Sequence, residues 1–97
     1  MFLEIVTPEA ILFSSKVDAV SVPGINGEFQ MLNNHAPVVS ILKEGTVSIH
    51  VHTQEHLEFD QYSGHYEVHV DDDKILTIAI KSGTIELNDN KVIILAD

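Results

Sequence analysis

The chain has no cysteine in its 97 residues, which excludes a disulfide framework and thiolate chemistry. It has no arginine either, and five lysines stand against fifteen acidic residues for a formal net charge of -10. Nucleic-acid binding depends on cation–phosphate contacts, so this balance argues against it. An anionic membrane surface is disfavoured for the same reason. No apolar run is long enough to span a bilayer, so direct insertion is not expected. Strand-like sequence follows Met1 at once, and no signal or transit peptide is visible. The chain lacks a Gly-x-x-x-x-Gly-Lys phosphate cradle, an internal repeat and a low-complexity linker. The length and an apolar share of 44% suit one domain over residues 1–97 with a real core.

What remains is a succession of short β-rich runs separated by turn signals. Phe2 to Thr7 is stopped by Thr7-Pro8-Glu9, and Lys16 to Val22 reads as a strand of mixed faces ended by Pro23-Gly24. Pro37 to Leu42 is a further strand before a turn at Lys43-Glu44-Gly45. From Thr46 to His52 the alternation is clean: Val47, Ile49 and Val51 on one face, Thr46, Ser48, His50 and His52 on the other. Tyr66, Val68 and Val70 repeat the pattern, and Leu57 and Phe59 repeat it weakly. Ile75 to Ile80, Thr84 to Leu87 and Val92 to Leu95 complete the set, with turns at Ser82-Gly83 and Asn88-Asp89-Asn90. Only Pro8 to Phe13 has room for a helical turn. The chain therefore reads as all-β, a sandwich or barrel.

One run departs from this plainness, Gly24 to Val39. Gly24, Gly27, Asn33, Asn34 and Pro37 are backbone breakers, and Ile25, Phe29, Met31 and Leu32 are threaded between them. The pattern predicts a shaped surface loop, a short strand and a tight corner carrying His35. Such a run is either a binding loop on a rigid scaffold or a corner crossing between two sheets.

Chemistry-bearing clusters are few. His50 and His52 share one strand face; His65, Glu67 and His69 share another. If those strands pair, imidazoles and a carboxylate converge in the manner of a zinc site. That would make a small metal-dependent β-barrel enzyme, the alternative reading. The spacing argues against it: a cupin-type H-x-H requires a glutamate after three or four intervening residues, where His56 and Leu57 stand, with Glu55 too early and Glu58 too late. No metal is expected there. Asp71-Asp72-Asp73 lacks the alternating ligands and glycine of a calcium loop. No serine has an activating context, so no catalytic residue is assigned.

The run from Gly24 also resembles a known signature. Gly27, Glu28, Leu32, His35, Ala36 and Pro37 match the G-E-x-G-x-L-x-x-H-A-P pattern of the epsilon-subunit family of F-type rotary ATP synthases. Leu3 to Ala10, Phe13 to Gly24 and the closing V-I-I-L-A-D resemble further elements of it. Gln30 stands where glycine is usual, and Asn33 where proline is common. The resemblance implies a flattened β-sandwich of about ten short strands. Residues 54–74 are longer than the family's equivalent and read as an extended hairpin in the second half.

By position, the resemblance implies that Ile25, Asn26, Gly27 and Glu28 face the polar loops of the membrane c-ring. Thr7, His35 and Ser40 would lie on a surface facing the gamma subunit. The implied role is that of a non-catalytic rotor subunit, peripheral on the cytoplasmic face of a bacterial inner membrane, without a cofactor. The isolated chain is expected to be a monomer. In many members a helical hairpin follows the sandwich. With no residue after Asp97, this chain is expected neither to bind nucleotide nor to restrain ATP hydrolysis through an extending helix.

Overall fold

A computed structural model describes residues 1–51, 66–69 and 75–97, with 66–69 described as backbone. Among the described residues ten strands run in chain order: β1 (Phe2–Val6), β2 (Ile11–Lys16), β3 (Ala19–Gly24), β4 (Gly27–Leu32) and β5 (Val38–Leu42). Then follow β6 (Gly45–His50), β7 (Tyr66–His69), β8 (Ile75–Ile80), β9 (Gly83–Asn88) and β10 (Lys91–Ala96). The expectation of an all-β chain of about ten short strands holds. Of the extended hairpin expected over residues 54–74, only the backbone of β7 lies within the described residues.

The strands form one hydrogen-bonded path, β2-β1-β10-β9-β5-β3-β6-β8-β7, with β4 pairing the free side of β3. Its two halves meet at a single register pair, Gly24 with Leu42. One half is β2-β1-β10-β9-β5; the other is β4-β3-β6-β8-β7. β5 and β6 follow one another along the same side of β3, so the chain changes halves at Lys43-Glu44. One apolar cluster draws on both halves: Leu3, Ile5, Phe13, Ile85 and Ile94 from the first, Val20, Val22, Ile49, Leu76 and Ile78 from the second. Two facing layers around one core make this a β-sandwich.

Local chemistry explains the elements. In β6 the alternation is as read: Val47, Ile49 and the following Val51 are buried. β10 alternates in the same way, with Val92, Ile94 and Ala96 inside. Burying each such valine or isoleucine side chain contributes roughly 1.5–3 kcal/mol. β9 and β10 are joined through Asp89 and Asn90, both at positive φ (50° and 63°). A two-residue turn with both φ positive matches the twist of the flanking strands, and Asn and Asp tolerate it.

One open possibility is closed and two expectations are corrected. Pro8 to Phe13 makes no helical turn: Thr7 N–H donates to Ala10 O at 2.8 Å, and the chain enters β2 at Ile11. Lys16 to Val22 is not one strand. Lys16 ends β2, and β3 begins at Ala19, because Val17 N–H turns to Met1 O and Asp18 N–H to His50 O, each at 2.8 Å. Pro23-Gly24 does not end that strand but lies inside it, and the expected loop after it is a hairpin. β3 pairs β4 from Ala19–Leu32 to Gly24–Gly27, leaving only Ile25 and Asn26 as the turn.

Gly83 shows how tightly the first half is built. A Cβ there would sit 2.5 Å from Leu95 O and 3.3 Å from Ala96 Cα. Both are backbone atoms of the paired strand and cannot swing aside. Gly83→Ala is therefore expected to destabilise the chain by about 1–3 kcal/mol, the usual range for overpacking. Urea unfolding with an unchanged midpoint would show that β10 can move to accept the methyl.

Candidate interaction surface

The tip of the β3–β4 hairpin is clamped on one side. Ile25 N–H donates to Ile41 O and Lys43 N–H to Pro23 O, both at 2.9 Å. Gly27 takes φ 129°, a conformation that residues with a Cβ rarely adopt. Ile25, Asn26, Gly27 and Glu28 all stand exposed on this held tip. The four residues assigned to one loop from sequence are thus together, on a short turn rather than a long loop. Of the apolar residues behind them, Met31 is buried, Phe29 packs partly against the core, and Leu32 is exposed.

His35 lies beyond the other end of β4. Its N–H donates to Leu32 O at 3.1 Å, and Nδ1 is 2.7 Å from Ala36 O. The corner is tied to the β9–β10 turn, where Asn34 N–H donates to Asn90 Oδ1 at 2.8 Å. Asn33 Oδ1 accepts from Asn90 Nδ2 and from the Met1 ammonium. Asn34, at φ 63°, makes the bend. Asparagine at positions 33 and 34 thus supplies both the turn and the ties.

Thr7 closes the β1–β2 turn with its side chain: Oγ1 accepts from Ala10 N–H at 3.2 Å and donates to Ala10 O at 3.3 Å. Thr7 lines an open depression of 310 Å³ with Val6, Pro8, Leu95, Ala96 and Asp97. Ser40 is half-buried and pairs with Ile85, in the row that faces the core. Thr7, His35 and Ser40 are therefore not one cluster. Val6 belongs to the row of Ile41, next to the hairpin tip, whereas His35 stands by the turn at the opposite end of the sheet.

Between them lies a feature that the residue-by-residue reading missed. Register pairs link Ile11, Val6, Leu95, Thr84 and Ile41 into one row across β2, β1, β10, β9 and β5. The adjacent core-facing row is Phe13, Ile5, Ile94, Ile85 and Ser40, so the first row faces outward. Ile11, Leu95 and Ile41 are about half exposed in it, and Val39, two residues from Ile41, is 81% exposed. Ile25 at the hairpin tip, hydrogen-bonded to Ile41, extends this apolar face. The signal was present in the sequence. V-V-S-I-L and V-I-I-L-A are near-continuous apolar runs, and such a run in a sheet means that both faces favour cover. An exposed apolar face of this kind is a candidate protein-docking surface.

The histidines do not converge through strand pairing. β6 and β7 are not neighbours; β8 runs between them, with Ile75 opposite both His50 and His69. Two strand spacings put those backbones about 10 Å apart. His52 and His65 lie outside the described residues. Among the described residues no three His, Cys, Asp or Glu side chains gather into a metal-holding group.

The family model for the β-sandwich domain of the ATP synthase delta/epsilon chain matches residues 1–71. The ATP synthase epsilon chain of Desulforamulus reducens is 34% identical over 95 residues, covering 98% of this chain and 57% of that one. The epsilon chain of Campylobacter fetus is 37% identical over 95 residues, covering 98% and 59%. The chain thus spans somewhat more than half the length of these relatives. Among solved structures, a chain of the Euglena gracilis mitochondrial ATP synthase superposes with TM-score 0.71 at 18% identity, over 97% of this chain and 48% of its own. A chain of the Tetrahymena thermophila ATP synthase central stalk and c-ring gives TM-score 0.70 at 13% identity, over 99% and 62%. At such identities the likeness is one of fold. The sequence relatives and the matching family model carry the assignment: the chain belongs to the ATP synthase delta/epsilon family, as its β-sandwich domain.

Proposed function

We propose that this chain is a non-catalytic rotor subunit of a proton-translocating F-type ATP synthase, linking the gamma subunit to the c-ring at the foot of the central stalk. The observation that carries the reading is the outward apolar face of β2-β1-β10-β9-β5. It exposes Ile11, Leu95, Ile41 and Val39 on one open face, so a protein partner is what it fits. The gamma subunit is that partner, docked over Ile11, Leu95, Ile41 and Val39. Thr7 and His35 stand at the two ends of this sheet, and Ser40 lies on its β5 strand between the outward-facing Val39 and Ile41. The four exposed residues Ile25 to Glu28 form a narrower prominence at the end of that face for the c-ring loops.

The work done is mechanical. Two sheets that interdigitate across one close-packed core resist shear, so torque entering at the hairpin tip reaches the gamma-facing sheet with little deformation. The clamp of Ile25 to Ile41 and Pro23 to Lys43 joins the tip directly to that sheet. A net charge of -10 speeds encounter with basic partner loops and disfavours acidic ones. The complex would sit on the cytoplasmic face of a bacterial inner membrane.

The direct test is reconstitution. The chain should co-elute with gamma alone and, in the presence of gamma, join a c-ring. Failure to bind gamma under conditions where a longer epsilon chain binds would overturn the reading. A narrower expectation concerns Glu28. Because it is exposed, Glu28→Lys should change stability by no more than about 0.5 kcal/mol. It should weaken c-ring attachment several-fold and leave gamma binding unchanged. Equal loss of both would place Glu28 in the gamma contact instead.

A further inference from the structure

We infer that Asn26 is a site of spontaneous covalent modification, a deamidation and isomerisation centre at the apex of the β3–β4 hairpin. The chain has five asparagines, and only Asn26 precedes a glycine; Asn33, Asn34, Asn88 and Asn90 precede Asn34, His35, Asp89 and Lys91. Asparagine is the thermolabile side chain of proteins because the next residue's backbone nitrogen can attack its amide carbon. A side chain on that next residue hinders the attack, and Gly27 has none. The local space is open as well: nothing lies within 4 Å of where a Cβ on Gly27 would be. Asn26 and Gly27 are both exposed, so water and base reach them.

The step balances without a co-reactant other than water. The Gly27 backbone nitrogen loses its proton to solvent base and bonds to Cγ of Asn26; the Cγ–Nδ2 bond breaks, and ammonia leaves. The resulting five-membered imide then takes up one water. Opening at one carbonyl gives aspartate, and opening at the other gives isoaspartate, in which the main chain runs through the former side-chain carbon.

Gly27 is paired with Gly24 in the last rung of the ladder, so the reaction requires that rung to open. A terminal rung beside a two-residue turn is the part of a hairpin that opens most readily. The pairing therefore slows the reaction relative to a free peptide without abolishing it. Either product adds a carboxylate two residues from Glu28. Isoaspartate also lengthens the turn by one backbone carbon, which disturbs the pairing of β4 from its first residue. On the reading that this tip contacts the c-ring, the modification would age that contact and spare the apolar sheet face.

The test uses the folded chain alone and does not depend on any partner. The chain is incubated at mildly alkaline pH and physiological temperature, and fragment masses and isoaspartate methyltransferase labelling are followed with time. The expected result is that conversion occurs at Asn26 first, and more extensively than at the other four asparagines together. Asn26→Gln, with its longer side chain, should remove the early labelling while the fold is retained by circular dichroism. A peptide spanning Pro23 to Phe29 serves as the unfolded reference. If the peptide converts extensively while Asn26 of the folded chain stays intact, or if another asparagine converts first, the inference is wrong.

Discussion

Ile41→Asp is expected to abolish stable attachment to the gamma subunit while leaving the isolated chain folded. Ile41 is 58% exposed in the free chain and lies in the outward row with Leu95 and Ile11. Burial beneath a partner would take its side chain out of water at the β5 end of the row, together with those of Val39 and Ile25 beside it. An aspartate there is buried without a counter-charge. The expected loss is at least ~2 kcal/mol, roughly thirtyfold in Kd. The cost to folding is smaller, at most ~1 kcal/mol, since aspartate is a poor strand residue. Thr46→Asp supplies the control: Thr46 is exposed on β6 in the other half and undergoes the same exchange of a β-branched residue for an acid. Calorimetric titration of gamma with both variants separates the effects. Equal binding by wild type, Ile41→Asp and Thr46→Asp would mean that gamma does not dock on this sheet.

Much of this architecture was legible in the sequence, because period-two alternation has a direct physical cause. Val47, Ile49 and Val51 could be assigned inward from spacing alone, and they are buried. The misreadings share another cause. Pro23-Gly24 looked like an end because proline lacks a donor; it lies within β3, and its carbonyl accepts from Lys43 across the junction of the two halves. The histidine faces could converge only if β6 and β7 paired, a question that spacing leaves open because strand neighbourhood is a long-range property; β8 takes the place between them. The site was legible in part. Ile25 to Glu28 read as part of one surface loop, and they stand together on one exposed turn because the breakers around them are adjacent in sequence. Val39, Ile41, Leu95 and Ile11 were not grouped, because they come from three separate segments and meet only through the register of five strands. The double-faced apolar character of β5 and β10 held the clue, but an unbroken apolar run does not say which of its faces is core.

That last ambiguity can be settled by two neighbouring substitutions on β10. Ile94→Ala is expected to cost about 2–5 kcal/mol, the range for truncating a buried isoleucine. Ile94 is fully buried between Ile5 of β1 and Ile85 of β9, so the cavity opens in the middle of a sheet whose strands are held on both sides. A domain of this size holds roughly 5–15 kcal/mol in all, and each kcal/mol moves its melting temperature by about 4–8 °C. The midpoint should therefore fall by roughly 8–40 °C, and a chain at the lower end of that stability range should approach unfolding at room temperature. Ile93→Ala removes the same atoms one residue earlier. Ile93 pairs with Glu4 and Glu86 on the outward face and is only half-buried, so its loss should cost much less. A one-residue shift of register would exchange the two faces and reverse the order. Urea titrations of both variants, with equal slopes and midpoints compared, decide it. If gamma covers the outward face, binding then ranks the variants the other way: Ile93→Ala weakens the complex, and Ile94→Ala, where still folded, does so only through lost stability.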